Sequence, residues 1–445
     1  MQLQRSWTVL AGAAALLAPM AIWTGPAAAQ ANEQFIPSLV YRTGAYAPNG
    51  IPFANGYADY FNMINERDGG INGVKLVVEE CETGYATDRG VECYERLKGK
   101  GPTGATLISP LSTGITYALM ERAPKDKIPL ITMGYGRTES ADGSIVPWSF
   151  PLLGTYWSAA DIAVRHIATT LGGYDKLKDK RIALVYHDSP YGKEPIPVLQ
   201  RLSEMHGFKF DPLPVTHPGV EQKATWLQVR QNRVDYVLLW GWGVMNSTSI
   251  KEAAAVNFPR ERMVGVWWSG AEPDVRPGGD GAKGYKALAL HGGGAGAPAL
   301  QDIIRVLYDR GKGAGKKEEV GEVLYNRGML NAALAVEAIR GAQTRYGNKP
   351  ITGEQMRWGI ENLNITEQRI SQIGLIGVMR PLKVSCANHE GTASARVHQW
   401  DGQKWVVITD WIEANQKLLR PMIEQAAKKY GEEQKITPTD CSKTS

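Results

Sequence analysis

The sequence predicts an α/β protein made of two doubly wound parallel-sheet lobes. Three observations carry that expectation. Short apolar strands alternate with amphipathic helices from residue 38 onward, and the alternation breaks at 147–151 and then restarts. The 49 Gly and 25 Pro fall without a three-residue period, so they supply turns rather than a fibre. A length of 445 residues suits two to four domains at roughly 100–200 residues each.

The first series opens with a strand at 38–42 and a turn-rich loop at 43–52. Tyr57, Phe61 and Ile64 then recur at i, i+4 and i+7, one face of a helix that Gly69-Gly70 stops. Val74, Leu76 and Val78 alternate with polar residues as a strand does, and Val91, Tyr94 and Leu97 mark the next helix. Residues 105–108 read as a strand, 114–121 as a short helix and 128–132 as a further strand.

In the second series the strands fall at 181–186, 208–213, 234–240 and 263–267, and the helices at 156–170, 192–206, 220–231 and 247–256. A Gly-rich stretch, 278–298, carries one more strand at 286–290. Helices follow at 300–310, 327–344 and 352–363, the last opened by the capping box Thr352-x-x-Gln355. Residues 397–400 and 404–408 flank Asp401-Gly402 as a β-hairpin.

Arg5 is the only charge before Glu33; an almost purely apolar run, 7–23, follows it and ends at Pro26-Ala27-Ala28-Ala29. These are the three parts of a secretory signal, expected over 1–29 with cleavage after Ala29. No Cys stands at that point to take a lipid, and no later run is long enough to span a membrane. The mature chain is therefore expected outside the cytoplasm without a membrane anchor. Four Cys in an exported chain point to disulfides, and we expect Cys81–Cys93 and Cys386–Cys441.

Several functions are excluded. Fifty Lys+Arg against 45 Asp+Glu give a net charge of +5 with no basic block, which argues against nucleic acid. The stretch 311–317 resembles a phosphate loop, but Arg310 and Lys317 stand where that loop needs Gly and Ser/Thr. His291-Gly292-Gly293-Gly294 has no Gly-x-Ser-x-Gly elbow to serve, and the seven His make no metal-ligand spacing. No enzyme, cofactor or metal is expected.

Thr43-Gly44-Ala45-Tyr46-Ala47-Pro48-Asn49-Gly50 and the helix end Asn65-Glu66-Arg67-Asp68-Gly69-Gly70-Ile71-Asn72-Gly73 resemble the opening of the leucine/isoleucine/valine-binding family of periplasmic solute-binding proteins (type I, branched-chain amino acid importers). Ser109-Pro110-Leu111-Ser112-Thr113-Gly114, Ile128-Pro129-Leu130-Ile131-Thr132 and Asp188-Ser189-Pro190-Tyr191-Gly192 are similar to further family segments, in the same order. The resemblance covers roughly 36–410. It implies three crossovers between the lobes, a ligand cleft between them, and a monomer that delivers a small molecule to an ABC importer permease. On that basis the first lobe takes 33–150 plus 297–395, the second 151–296 plus 396–430, and 431–445 is a tail. A ligand sensor on the same fold, reporting to a receptor or regulator, is the alternative.

Ligands of doubly wound sheets bind beyond the carboxyl ends of strands. Ser112 and Thr113 lie there, before a helix, and suit a carboxylate. The resemblance adds Tyr46 and Asn49, the backbone at Gly134 and Gly136, and Tyr191. It also implies an acidic partner for an α-ammonium near position 245, which is Met245. Thirteen Trp exceed seven Phe, and Trp240, Trp242 and Trp268 close neighbouring second-lobe strands. Trp240 and Trp242 are two apart and are expected to form one wall; of Trp267 and Trp268, one at most should face the cleft. The expected ligand is a small carboxylate with an aromatic or apolar body and no ammonium.

Overall fold

The computed structural model describes Gln2 and residues 32–443, so the expected export signal lies outside the described stretch. In the first lobe β1 (Glu33–Val40) and β2 (Lys75–Glu82) pair in parallel, Glu33 opposite Lys75 and Val40 opposite Glu82. Single bridges, Ser38 to Ser109 and Ile108 to Leu130, insert residues 105–109 between β1 and β3 (Leu130–Ile131). β3 in turn pairs in parallel with β4 (Ser149–Phe150). The expected strand at 105–108 is thus a threaded segment: Ile108 N donates to Pro129 O at 3.0 Å, and Ile131 N to Ile108 O at 2.9 Å.

The second lobe holds β5 (Arg181–His187), β6 (Lys209–Val215), β7 (Tyr236–Trp240), β8 (Met263–Gly265) and β9 (Lys286–Ala289). All five are parallel, in the order β9-β8-β7-β5-β6. Two short strands, β10 (Asn364–Ile365) and β11 (Leu382–Lys383), pair apart from both sheets. β12 (Ser394–Trp400) adds antiparallel to β9, and the expected hairpin carries it into β13 (Trp405–Val407); β14 (Ile412–Glu413) pairs with β12 as well.

The helices follow the apolar pattern, with local chemistry setting their ends. Ala47–Asp68 buries Phe53, Tyr57, Phe61 and Ile64 and stops at Gly69, φ 72°. Tyr156–Leu171 starts where the Thr155 side chain accepts from Ser158 N, and it stops at Gly172. The helix expected at 192–206 is instead two, Pro190–Lys193 and Ile196–His206, because Pro195 and Pro197 lack the N–H a continuous helix would use. Helix Val323–Tyr346 packs along Ala47–Asp68 with backbones touching: a Cβ on Gly56 would stand 2.0 Å from Tyr325 O, and one on Gly328 1.9 Å from Phe53 O. Only glycine permits that approach.

The chain passes between the sheets near 151–155, 290–297 and 390–393. The C-terminal stretch is shared between the sheets. Helix Gln416–Gln434 packs on Thr138–Ala141, and its Tyr430 joins Ile145 and Val146 in a first-lobe core, whereas β12 and β13 of the expected 396–430 share pair with the second-lobe sheet. A tail starting at 431 also cuts that helix. Beyond it, Thr439 N donates to Ser144 O at 2.7 Å and Cys441 is bridged to Cys386.

Both expected disulfides are present. Cys81–Cys93 ties β2 to the helix Thr87–Leu97, and Cys386–Cys441 closes a span of 55 residues over the C-terminal helix. Native protein should expose no reactive thiol until reductant is added, and then four. Removing the longer bridge by Cys441→Ser should lower unfolding stability by about 2–4 kcal/mol in a denaturant titration. An unchanged midpoint would show that the bridge contributes nothing.

Candidate functional site

The sheets point their carboxyl ends at a shared cavity of about 260 Å³, mouth included. Each residue on its wall follows a strand end or opens a crossover. From the first lobe, Tyr41 follows β1, Tyr85 follows β2, Leu111 to Thr113 follow the 105–109 segment, and Tyr135 follows β3. Tyr156 begins the crossover helix. From the second, Tyr191 follows β5, Trp242 follows β7 and Trp268 follows β8.

Two wall residues hold a left-handed backbone that side chains disfavour: Tyr85 at φ 65° and Leu111 at φ 51°. Each is tied down locally. Leu111 N donates to Tyr135 Oη at 2.7 Å, and Tyr85 N donates to Thr83 Oγ1 at 3.1 Å. The kink at Leu111 presents Ser112 and Thr113 to the cavity. Ser112 Oγ accepts from Ile115 N at 3.4 Å, capping the helix Thr113–Leu119, and Thr113 Oγ1 lies 3.5 Å from Tyr156 Oη.

The wall carries no ionic side chain. Burial pushes the phenols of Tyr41, Tyr85, Tyr135, Tyr156 and Tyr191 well up, so all five stay neutral hydroxyls at physiological pH. Tyr191 Oη donates to Gly241 O at 2.9 Å. Trp268 meets Trp242 edge-on at 5.4 Å and Tyr135 edge-on at 5.6 Å.

Five of the ten residues anticipated from sequence line the cavity: Ser112, Thr113, Tyr191, Trp242 and Trp268. Tyr46, Asn49, Gly134 and Gly136 stand around it rather than on its wall. Tyr46 Oη pairs with His187 Nε2 at 2.7 Å, and its ring lies 4.3 Å from that of Tyr85. Asn49 Nδ2 donates to Asp274 Oδ1 at 3.0 Å. The Gly134 carbonyl accepts from Trp267 Nε1 at 2.7 Å and Trp268 Nε1 at 2.8 Å. Gly136, φ 96°, completes the turn beside Thr132.

Trp240 departs from expectation. It is fully buried in the core and takes no part in the wall. The alternation that puts residues two apart on one side holds only inside a strand, and β7 ends at Trp240; the Gly241–Gly243 turn re-aims Trp242. Sequence reasoning also missed Tyr41, Tyr85, Leu111, Tyr135 and Tyr156. Their position just past strand ends was the available signal.

Polar ties join the lobes around the cavity. Thr138 Oγ1 donates to Glu194 Oε2 at 2.7 Å, and Tyr117 Oη donates to the other carboxylate oxygen. Val244 N donates to Ala45 O at 3.3 Å, and Val323 N to Glu272 Oε2 at 3.0 Å. Among the described residues no group of three His, Cys, Asp or Glu is placed to hold a metal, and no helix is long and apolar enough to cross a membrane.

A family model described as periplasmic binding protein matches residues 33–433. Among solved structures, one from the Pseudomonas fluorescens group, described as an ABC transporter permease, is 45% identical, with TM-score 0.85 over 92% of this chain and 99% of that one. A branched-chain amino acid ABC transporter from Thermus thermophilus with bound valine is 22% identical, with TM-score 0.72 over 87% and 98%. An ABC transporter solute-binding protein from R. palustris in complex with benzoate is 15% identical, with TM-score 0.65 over 86% and 98%. The last two identities speak to fold alone. No curated protein matches.

Two predictions concern closure. A Cβ at Gly134, φ +69°, would stand 2.6 Å from Leu290 Cδ1 and 2.9 Å from Trp267 Nε1. Gly134→Ala should hold the lobes apart and raise the radius of gyration measured by X-ray scattering; an unchanged radius would refute this. Burial, reinforced by Glu139, pushes Glu194 from its ordinary 4.5 up to about 7. The closed protein therefore keeps a proton that the opened or unfolded chain releases. Its contribution is full below about pH 4.5 and is lost as pH rises to about 7. Glu194→Gln should flatten part of the fall in melting temperature over that window, and equal slopes would sink the idea.

Proposed function

The chain belongs to the periplasmic binding protein family, and from that premise we propose that it is the substrate-binding component of an ABC importer, exported to the periplasm as a monomer. Its ligand is a small carboxylate with an aromatic or apolar body, enclosed as the lobes close. The observation that carries this reading is the cavity wall: five tyrosines, two tryptophans and a leucine around the Ser112–Thr113 hydroxyls, with no ionic side chain. Rings stack against a ligand ring or chain at edge-to-face distances. The hydroxyls of Ser112 and Thr113 donate to a carboxylate, and neutral phenols such as Tyr85 and Tyr156 add further donors.

An α-amino acid suits this wall poorly. Its ammonium would lose its hydration with no acid beside it, at a cost of several kcal/mol. Met245, where the family resemblance implies an acid, is fully buried in an apolar cluster with Trp226 and Ile250. The valine and benzoate complexes among the fold relatives frame the choice, and the wall supports the benzoate type.

A thermal-shift screen of aromatic acids, short fatty acids, their amides and the branched amino acids tests this directly. A ligand at 100 times its Kd should stabilise by about 2.7 kcal/mol. Aromatic or aliphatic acids should give that shift and leucine should not; tight leucine binding with no response to any acid would refute the reading. Trp242→Ala should weaken the best acid at least about tenfold, about 1.4 kcal/mol, without unfolding the protein.

A further inference from the structure

Arg327 stands in the first turns of the helix Val323–Tyr346 and is wholly buried. Its Nε donates to His291 Nε2 at 3.2 Å and its Nη1 to the Trp267 carbonyl, while its Nη2 has no hydrogen-bond partner among the described residues. Among the described residues it makes no ion pair. A buried guanidinium without a carboxylate beside it is costly, because the lost hydration of the charge is not returned. Burial pulls it down to about 9, which still leaves it charged at neutral pH.

Among the described residues no carboxylate pairs with it directly. Asp274 attracts it only from a distance, its carboxylate oxygens held instead by Asn49 at 3.0 Å, Asn246 at 2.9 Å and the Ala271 amide at 2.8 Å. Glu272 is engaged with Val323 N. His291 and His398 face the same charge and are pushed down to about 3 by burial and by Arg327, so both are neutral. The guanidinium carbon sits 4.7 Å from the centre of the Trp268 ring, and Trp268 is part of the cavity wall.

A cage of neutral aromatic rings on its own attracts cations, because the ring faces are electron-rich. Something must reverse that preference if the ligand is an anion. We propose that Arg327 is the specificity-determining residue of the cavity: its charge, without a direct ion-pair partner and lying against Trp268, makes an aromatic cage select carboxylates over their neutral amides and over cations. This rests on the carboxylate reading above. Arg327 acts through the wall and its field, and the Ser112–Thr113 hydroxyls make the direct bonds.

Calorimetry with two isosteric pairs, benzoate against benzamide and hexanoate against hexanamide, tests it. Wild-type protein should prefer the acid of at least one pair by on the order of tenfold or more, the scale of one nearby charge in a poorly solvated site. Arg327→Met should lose that preference while keeping its affinity for the amide, and Arg327→Lys, which keeps the charge, should retain it. Equal binding of acid and amide by the wild type overturns the proposal even if the Met variant fails to fold. A folded Arg327→Met that still prefers the acid also overturns it and leaves the carboxylate reading standing. A folded Arg327→Lys without the preference overturns it too. If none of the four compounds binds the wild type, both readings fall.

Discussion

One backbone carbonyl organises the meeting of the two lobes. Gly134 O, just past β3, receives the indole N–H groups of both Trp267 and Trp268 from the opposite lobe. A buried indole needs an acceptor, and a carbonyl has two lone pairs, so a single oxygen satisfies both. This fixes how deeply the second lobe seats. It holds Trp268 at the wall and leaves Trp267 behind it, and its geometry tolerates no side chain at position 134. The cavity's shape follows from that contact.

The electrostatics follow from the same closure. A wall of rings excludes water, so any ion on it would need a partner there. The protein places its charges one layer out. Asp274 is wrapped by three donors, and Arg327 lies against an indole with one nitrogen that has no hydrogen-bond partner among the described residues. The phenols, kept neutral by burial, leave the wall itself with dipoles only. Such a wall separates ligands by shape and by the field behind it, rather than through a direct ion pair.

The architecture was legible in the sequence because two restarting runs of βα units permit little else. The hairpin, the capping box at Thr352 and the Cys81–Cys93 bridge are local signals and are present, as is the Cys386–Cys441 bridge over its span of 55 residues. What failed was long-range or sub-strand. Residues 105–109 form only bridges, since their neighbours contact them over one or two residues each. Helix Gln416–Gln434 crosses to the first lobe, a choice made by Tyr430 packing with Ile145 that no periodicity announces. At the site, the motif residues Ser112 and Thr113 and the tryptophans at strand ends were readable. Of the wall tyrosines only Tyr191 was readable, from its motif; Tyr41 and Tyr135 look like ordinary core aromatics until the sheets place them side by side. Trp240 shows the converse, a residue of the right type one step inside the strand.

The kinds of contact also divide by place, and the division explains how such a protein can open without unfolding. Within each lobe, stability comes from buried apolar packing, as in the glycine-mediated contact of Ala47–Asp68 with Val323–Tyr346. Between the lobes hydrogen bonds do much of the tying, Tyr46 to His187, Asn49 to Asp274, Thr138 to Glu194 and the two indoles to Gly134, beside a few aromatic contacts such as Trp268 on Tyr135 and Trp242 on Tyr41. Water can replace each of these hydrogen bonds when the cleft opens, so the net loss per bond is only about 0.5–1.5 kcal/mol. The apolar packing has no such substitute. Closure therefore rests largely on interactions that water can replace, with a small aromatic contact added, and the lobes on far more extensive packing that it cannot. An enclosed ligand that adds a few bonds of its own is then enough to shift the balance between the open and closed forms.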